Sequence, residues 1–184
     1  MVKIGIIGAG RIGQVHGKSI LTGVPEAKIE AIADPYLTDQ ARAWAQGVGI
    51  QKISLNHTDI INDPEVDAVL ICSSTDTHCP ISLEAIAAGK HVFCEKPMGI
   101  SALECVQVEQ AALAHPQQIF MVGFMRRFDP SYTYAREKIA SGLIGEPYLV
   151  KGFGADPMST IQGCIEYGGK GSGGLFMDLG IHDM

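Results

Sequence analysis

Val2-Lys3-Ile4-Gly5-Ile6-Ile7-Gly8 runs directly into Ala9-Gly10-Arg11-Ile12-Gly13. The first part is rich in valine and isoleucine, the composition of a strand buried on both faces. The second completes the spacing Gly-x-Gly-x-x-Gly, and Arg11–Leu21 then reads as a helix. A strand, a glycine loop and a helix in that order give each glycine a purpose. Gly8 permits a tight turn, Gly10 lets a pyrophosphate approach the backbone, and Gly13 lets helix and strand pack closely. The N–H groups that open such a helix have no acceptor within it and can face an anion.

Outward from this stretch the pattern repeats. Ile29–Asp34 is a second strand-like run, Thr38–Gln46 a helix and Gln51–Ser54 a short, weak strand. Ala68–Cys72 is a continuous apolar strand, and the helix after it stops at Gly89, a residue suited to the left-handed position past a helix end. His91–Cys94 is another strand. Ser101 and Glu104 have capping-box spacing and open a helix to about Ala114, before a last strand over Ile119–Phe124. Buried strands alternating with helices predict an α/β fold, a doubly wound parallel sheet of the Rossmann type over residues 1–123. Beyond it, Pro130–Ser141 reads as a helix and Glu146–Gly154 as a strand. A glycine-rich stretch at 168–174 and a helix over Leu175–Met184 follow. One strand and an incomplete helix do not make a domain. Residues 124–184 therefore read as the beginning of a second α+β domain.

Composition narrows the function classes. The chain has 184 residues and a formal charge of −6, which argues against a nucleic-acid binder. With 46% hydrophobic and 18% charged residues it is globular. No apolar run approaches the ~20 residues of a membrane span, and the glycine-bearing N-terminus does not read as a signal peptide. Five cysteines without a C-x-x-C pair read as reduced thiols, Cys72 and Cys94 within strands, and the expected compartment is the cytoplasm. His16, His57, His91 and His115 have no metal-ligand spacing and read as structural; no metal is expected.

Chemistry-bearing residues fall where strands end. Asp34 closes the second strand, 21 residues beyond Gly13. A carboxylate there accepts from both adenosine ribose hydroxyls and repels a 2′-phosphate, which favours NAD over NADP; no arginine adjoins it. Ser73-Ser74-Thr75-Asp76-Thr77-His78 follows the Ala68–Cys72 strand, where its hydroxyls could meet a nicotinamide ribose or cap the next helix. Glu95-Lys96-Pro97 follows the His91–Cys94 strand. Ligands of open parallel sheets bind beyond the carboxyl ends of the strands, so Lys96 is either a donor to a substrate hydroxyl or a surface lysine. Asp178 and His182, four apart, share a face if their segment is helical. They are a proton-accepting pair or the solvated end of an amphipathic helix. Arg126 and Arg127 could bind a polyol or pair with Asp129.

Taken together, Gly8–Gly13, Asp34, Ser74–His78, Glu95-Lys96-Pro97 and Asp178–Asp183 resemble the Gfo/Idh/MocA oxidoreductase family. Val122–Asp129 resembles its inositol dehydrogenase branch. The resemblance implies that Lys96, Asp178 and His182 are catalytic: His182 takes the hydroxyl proton, Lys96 polarises the hydroxyl, and Asp178 holds and tunes the site. Met125 and Arg126 would line the sugar pocket. NAD would be held by Gly8, Gly10, Arg11, Ile12 and Gly13 with Asp34. Ser73, Ser74, Thr75 and His78 would contact it from the next loop, as would Glu95 and Lys96. The implied reaction moves a hydride from a cyclic polyol, myo-inositol first, to NAD, giving 2-keto-myo-inositol. A scyllo-inositol or sugar dehydrogenase and a non-catalytic, sugar-responsive NAD-binding regulator are the alternatives. Family members are about twice this long and homo-oligomeric through a second domain of which only the start is expected here.

Overall fold

A computed structural model describes residues 1–155, 157–159, 165, 174, 177 and 180–182. The chain divides into two compact units, Met1–Val122 and Gly123–Met184. The first alternates β1 (Val2–Ile7), α1 (Arg11–Gly23), β2 (Ala27–Ala33), α2 (Asp39–Gly47), β3 (Lys52–Ser54) and α3 (His57–Ile61). It continues with β4 (Ala68–Ile71), α4 (Thr75–Ala87), β5 (His91–Cys94), α5 (Ala102–Ala114) and β6 (Phe120–Val122). The strands form one parallel sheet in the order β3-β2-β1-β4-β5-β6. This is the doubly wound arrangement predicted from the alternating pattern, with its crevice where the strand order reverses, at the carboxyl ends of β1 and β4.

The period of two along each strand sends side chains to opposite faces. Ile7, Val69 and Ile71 join one buried cluster with Ile60, Ile81, Ile86 and Val108. Ile6 and Leu70 join the other, with Ile29, Ile32, Ala41 and Ala45. Ile29 and Ile32 share a face only because the register shifts between Ile4 and Gly5, where β2 carries one residue more than β1. Gly5 leaves room for α3: a Cβ there would lie 2.2 Å from Ile60 Cγ2. That five-residue helix is too short to give a periodic signal, and the sequence reading leaves it out.

Helix ends follow the expected chemistry. Thr38 Oγ1 accepts from the Ala41 N–H, and Ser101 Oγ from the Glu104 N–H at 3.3 Å. Glu104 Oε2 reaches back to the Ile100 N–H at 2.7 Å. Gly89 adopts φ +81°, the left-handed value its place predicts. Cys72, Cys79, Cys94 and Cys105 are free thiols; burial pushes the Cys94 thiol up to about 12 and the Cys72 thiol up as well. Among the described residues no helix is long and apolar enough to cross a membrane.

The second unit holds a 3-10 turn over Met125–Arg127, α6 (Pro130–Ala140) and a 3-10 turn over Gly180–His182. Asp129 caps α6, its Oδ1 accepting from Ser131 and Tyr132 N–H, and Pro130 occupies the first turn. The strand expected over Glu146–Gly154 is absent: residues 147–155 have no regular structure. Its apolar side chains stand in solvent, with Tyr148 99% and Phe153 91% exposed. An extended segment becomes a strand only by pairing, and this one has no neighbour to pair with among the described residues. The helix expected over Leu175–Met184 lies largely outside the described residues, as does most of the glycine-rich stretch at 168–174.

Candidate functional site

The site grows from the turn between β1 and α1. Gly8 has φ +103°, and a Cβ on it would come within 2.5 Å of the Cys72 backbone, so β1 and β4 approach closely there only because the side chain is missing. A Cβ on Gly13 would sit 2.0 Å from the Gly8 carbonyl oxygen, which keeps α1 tight against the turn. A Cβ on Gly10 would meet nothing within 4 Å. Gly10 is the N-cap of α1 and supplies no side-chain cap, so the first-turn N–H groups, including those of Arg11 and Ile12, receive no acceptor from the helix or from its cap. This is the geometry an anionic pyrophosphate needs.

Asp34 stands at the end of β2. Its Oδ2 accepts from the Ala9 N–H at 2.7 Å and its Oδ1 from the Tyr36 N–H at 2.8 Å. Two backbone donors aim the carboxylate at the glycine loop, and each oxygen keeps a lone pair for a ribose hydroxyl. The open Gly10 face and the oriented Asp34 both fit a dinucleotide without a 2′-phosphate.

After β4, Ser73 Oγ and Thr77 Oγ1 lie 2.6 Å apart, and Thr77 Oγ1 also donates to the Ser74 carbonyl. Ser74 is exposed, Ser73 half-buried and Thr75 buried. His78 is 2% exposed, with Nδ1 2.7 Å from the Pro97 carbonyl and Nε2 3.1 Å from the Ser73 carbonyl. Both ring nitrogens lie within hydrogen-bond distance of backbone carbonyls, and the ring ties the loop after β4 to the turn after β5.

That turn is Glu95-Lys96-Pro97, with a cis Lys96–Pro97 peptide. Glu95 Oε1 lies 2.6 Å from His16 Nε2 on α1, and Glu95 Oε2 accepts from the Lys96 N–H at 3.2 Å. Burial alone would raise the Glu95 carboxyl, but the His16 hydrogen bond, the charge of that ring and Lys96 outweigh it and hold it below the ordinary value. Sequence spacing alone reads His16 as structural. Its partner is 79 residues away, and no local spacing signals it.

In the second unit, His182 and Ile181 line a pocket of about 170 Å³ with Phe124, Arg126 and Arg127. The Arg126 guanidinium lies 4.8 Å over the Tyr132 ring. Met125 is 63% exposed. Asp178 lies outside the described residues. Among the described residues no group of three or more His, Cys, Asp or Glu could hold a metal ion.

A parallel sheet of this strand order, with a glycine cradle at its switch point and an acid closing β2, defines a dinucleotide-binding domain. The chain belongs to the Gfo/Idh/MocA oxidoreductase family, which has an NAD-binding Rossmann fold and matches residues 2–124. It is 39% identical to the scyllo-inositol 2-dehydrogenase (NAD(+)) of Bacillus subtilis, over 99% of this chain and 52% of that protein. It is 36% identical to the myo-inositol 2-dehydrogenase of Thermotoga maritima, over 99% of this chain and 52% of the relative. The crystal structure of scyllo-inositol dehydrogenase from Lactobacillus casei with bound NAD(H) and scyllo-inositol superposes with a TM-score of 0.91 at 34% identity. That superposition covers 100% of this chain and 54% of the other. The chain thus spans about half the length of the curated relatives it matches.

Proposed function

We propose that this sequence belongs to an NAD-dependent dehydrogenase that oxidises a secondary alcohol of an inositol, with myo-inositol as first substrate and 2-keto-myo-inositol as product. The observation that carries the reading is the open cradle at Gly10 with Asp34 oriented beside it, on a chain akin to inositol dehydrogenases of both the myo and scyllo kinds. Residues 1–123 are the NAD-binding domain in this proposal. Residues 124–184 begin a domain for substrate and for subunit contacts in a cytoplasmic homo-oligomer.

NAD supplies the acceptor for the hydride that leaves the carbinol carbon. His182 accepts the hydroxyl proton as the carbonyl forms. The Lys96 ammonium donates to the same oxygen and stabilises the negative charge that builds there. Asp178 orients and charges His182, and Met125 and Arg126 line the polyol pocket. Glu95 and the hydroxyls of Ser73 and Ser74 face the nicotinamide half.

The test is NADH formation by the full-length protein with myo-inositol, scyllo-inositol and a panel of aldoses. The expected result is turnover with at least one inositol. Lys96→Met is expected to lower kcat by about 10²- to 10⁴-fold while NAD still binds. NAD binding without reduction by any member of the panel would overturn the proposal in favour of a sugar-responsive regulator.

A further inference from the structure

Lys96 sits on a turn, and a turn needs bracing if an ammonium is to be held in reach of one substrate oxygen. His78 braces it from behind through the Pro97 carbonyl. A second brace comes from an element remote in sequence. We propose that His16 is a positioning residue for the reaction: it holds the Glu95 carboxylate, and through it the turn that carries Lys96, against α1. The inference rests on the dehydrogenase reading above.

Three observations support it. Both Glu95 oxygens are engaged, Oε1 by His16 Nε2 and Oε2 by the Lys96 N–H, so the carboxylate is a bridge between α1 and the backbone of the lysine. The bridge is shielded: the side chains of Glu95 and His16 are 18% and 29% exposed. The His16 ring is itself held, edge-on to Phe93 of β5 at a centroid distance of 5.3 Å.

The anchor is closely packed as well. α1 lies so near its neighbours that a Cβ would come 2.0 Å from the Gly8 carbonyl oxygen at Gly13 and 2.7 Å from the Trp44 ring at Gly17. The groups facing the carboxylate are His16 from α1, Lys96 from its own turn, and the neutral thiols of Cys72 and Cys94 from the ends of β4 and β5. His16 is therefore the partner that α1 supplies. The same helix opens at Gly10, so one element presents the phosphate cradle at its first turn and the brace for Lys96 at its second.

Loss of the ring frees Glu95 and loosens the lysine turn, while the cradle at Gly10 and Asp34 is untouched. The expected signature is on the chemical step rather than on NAD binding. In the full-length protein, His16→Leu should lower kcat about 10- to 100-fold, with KM for NAD changed less than about twofold. His16→Gln, whose amide nitrogen reaches where Nε2 lies, should recover most of the loss and also shows that the variant folds. The Glu95 carboxyl, followed by carbon NMR, should titrate at higher pH in His16→Leu than in the wild type. A His16→Leu kcat within about twofold of the wild type, or a His16→Gln enzyme as slow as His16→Leu, overturns the inference. If the wild type oxidises no polyol, the dehydrogenase reading fails separately and the titration decides. A midpoint unmoved by His16→Leu then overturns the brace, and a raised one supports it.

Discussion

Val69-Leu70-Ile71 and Tyr148-Leu149-Val150 are equally apolar tripeptides with opposite fates. The first is 1%, 6% and 0% exposed within β4; the second is 99%, 74% and 83% exposed and belongs to no element. Composition does not separate them. β4 lies between β1 and β5, which satisfy its backbone on both edges, and helices cover its faces. Residues 148–150 have no such company among the described residues. A strand is thus a property of the partners as much as of the residues that form it.

The largest test of this contrast is amide exchange. The β1 and β4 amides should open only with global unfolding and show protection on the order of 10³ or more, whereas those of residues 147–155 should exchange nearly as in a free peptide. Comparable protection in both segments would break the comparison. Truncation sharpens it further. Ile71→Ala should cost about 2–5 kcal/mol in urea unfolding, because the cavity is enclosed, while Leu149→Ala should stay within about 0.5 kcal/mol.

The smallest effect is on pH dependence, and it concerns the first unit. Glu95 there is held below its ordinary value of 4.5 with His16 as partner, and Glu30 and Asp63 are lowered by their hydrogen bonds to Lys28 and Lys52. A carboxyl depressed in the folded state stabilises it above the unfolded value, and that stabilisation is lost as pH falls through the folded value. The melting temperature should therefore drop on acidification below about 4.5, and Glu95→Gln should make the drop shallower. An unchanged acid slope in Glu95→Gln would mean that the His16 contact contributes nothing to folding.

Much of the first unit was legible because its signals are local. Gly8, Gly10 and Gly13 lie within six residues of one another, and Ser101 with Glu104 mark a helix start across four. What stays hidden is what distance hides. His78 sits among hydroxyl residues at a strand end, and its partners include a carbonyl 19 residues away that no local motif announces. His16 has a partner in another strand–turn and no motif of its own. The strand expected at Glu146–Gly154 failed for the complementary reason: its apolar run was visible, but the neighbour that would make it a strand was not.

The three glycines of the first turn answer to different judges. Gly8 and Gly13 are demanded by the polypeptide itself, since any side chain there collides with backbone before a ligand arrives. Gly10 is demanded by nothing in the protein; the room in front of it belongs to the guest. Folding and occupancy can therefore be uncoupled at a single atom. A methyl group at Gly10 leaves the architecture indifferent and is felt only by the molecule that comes to rest there.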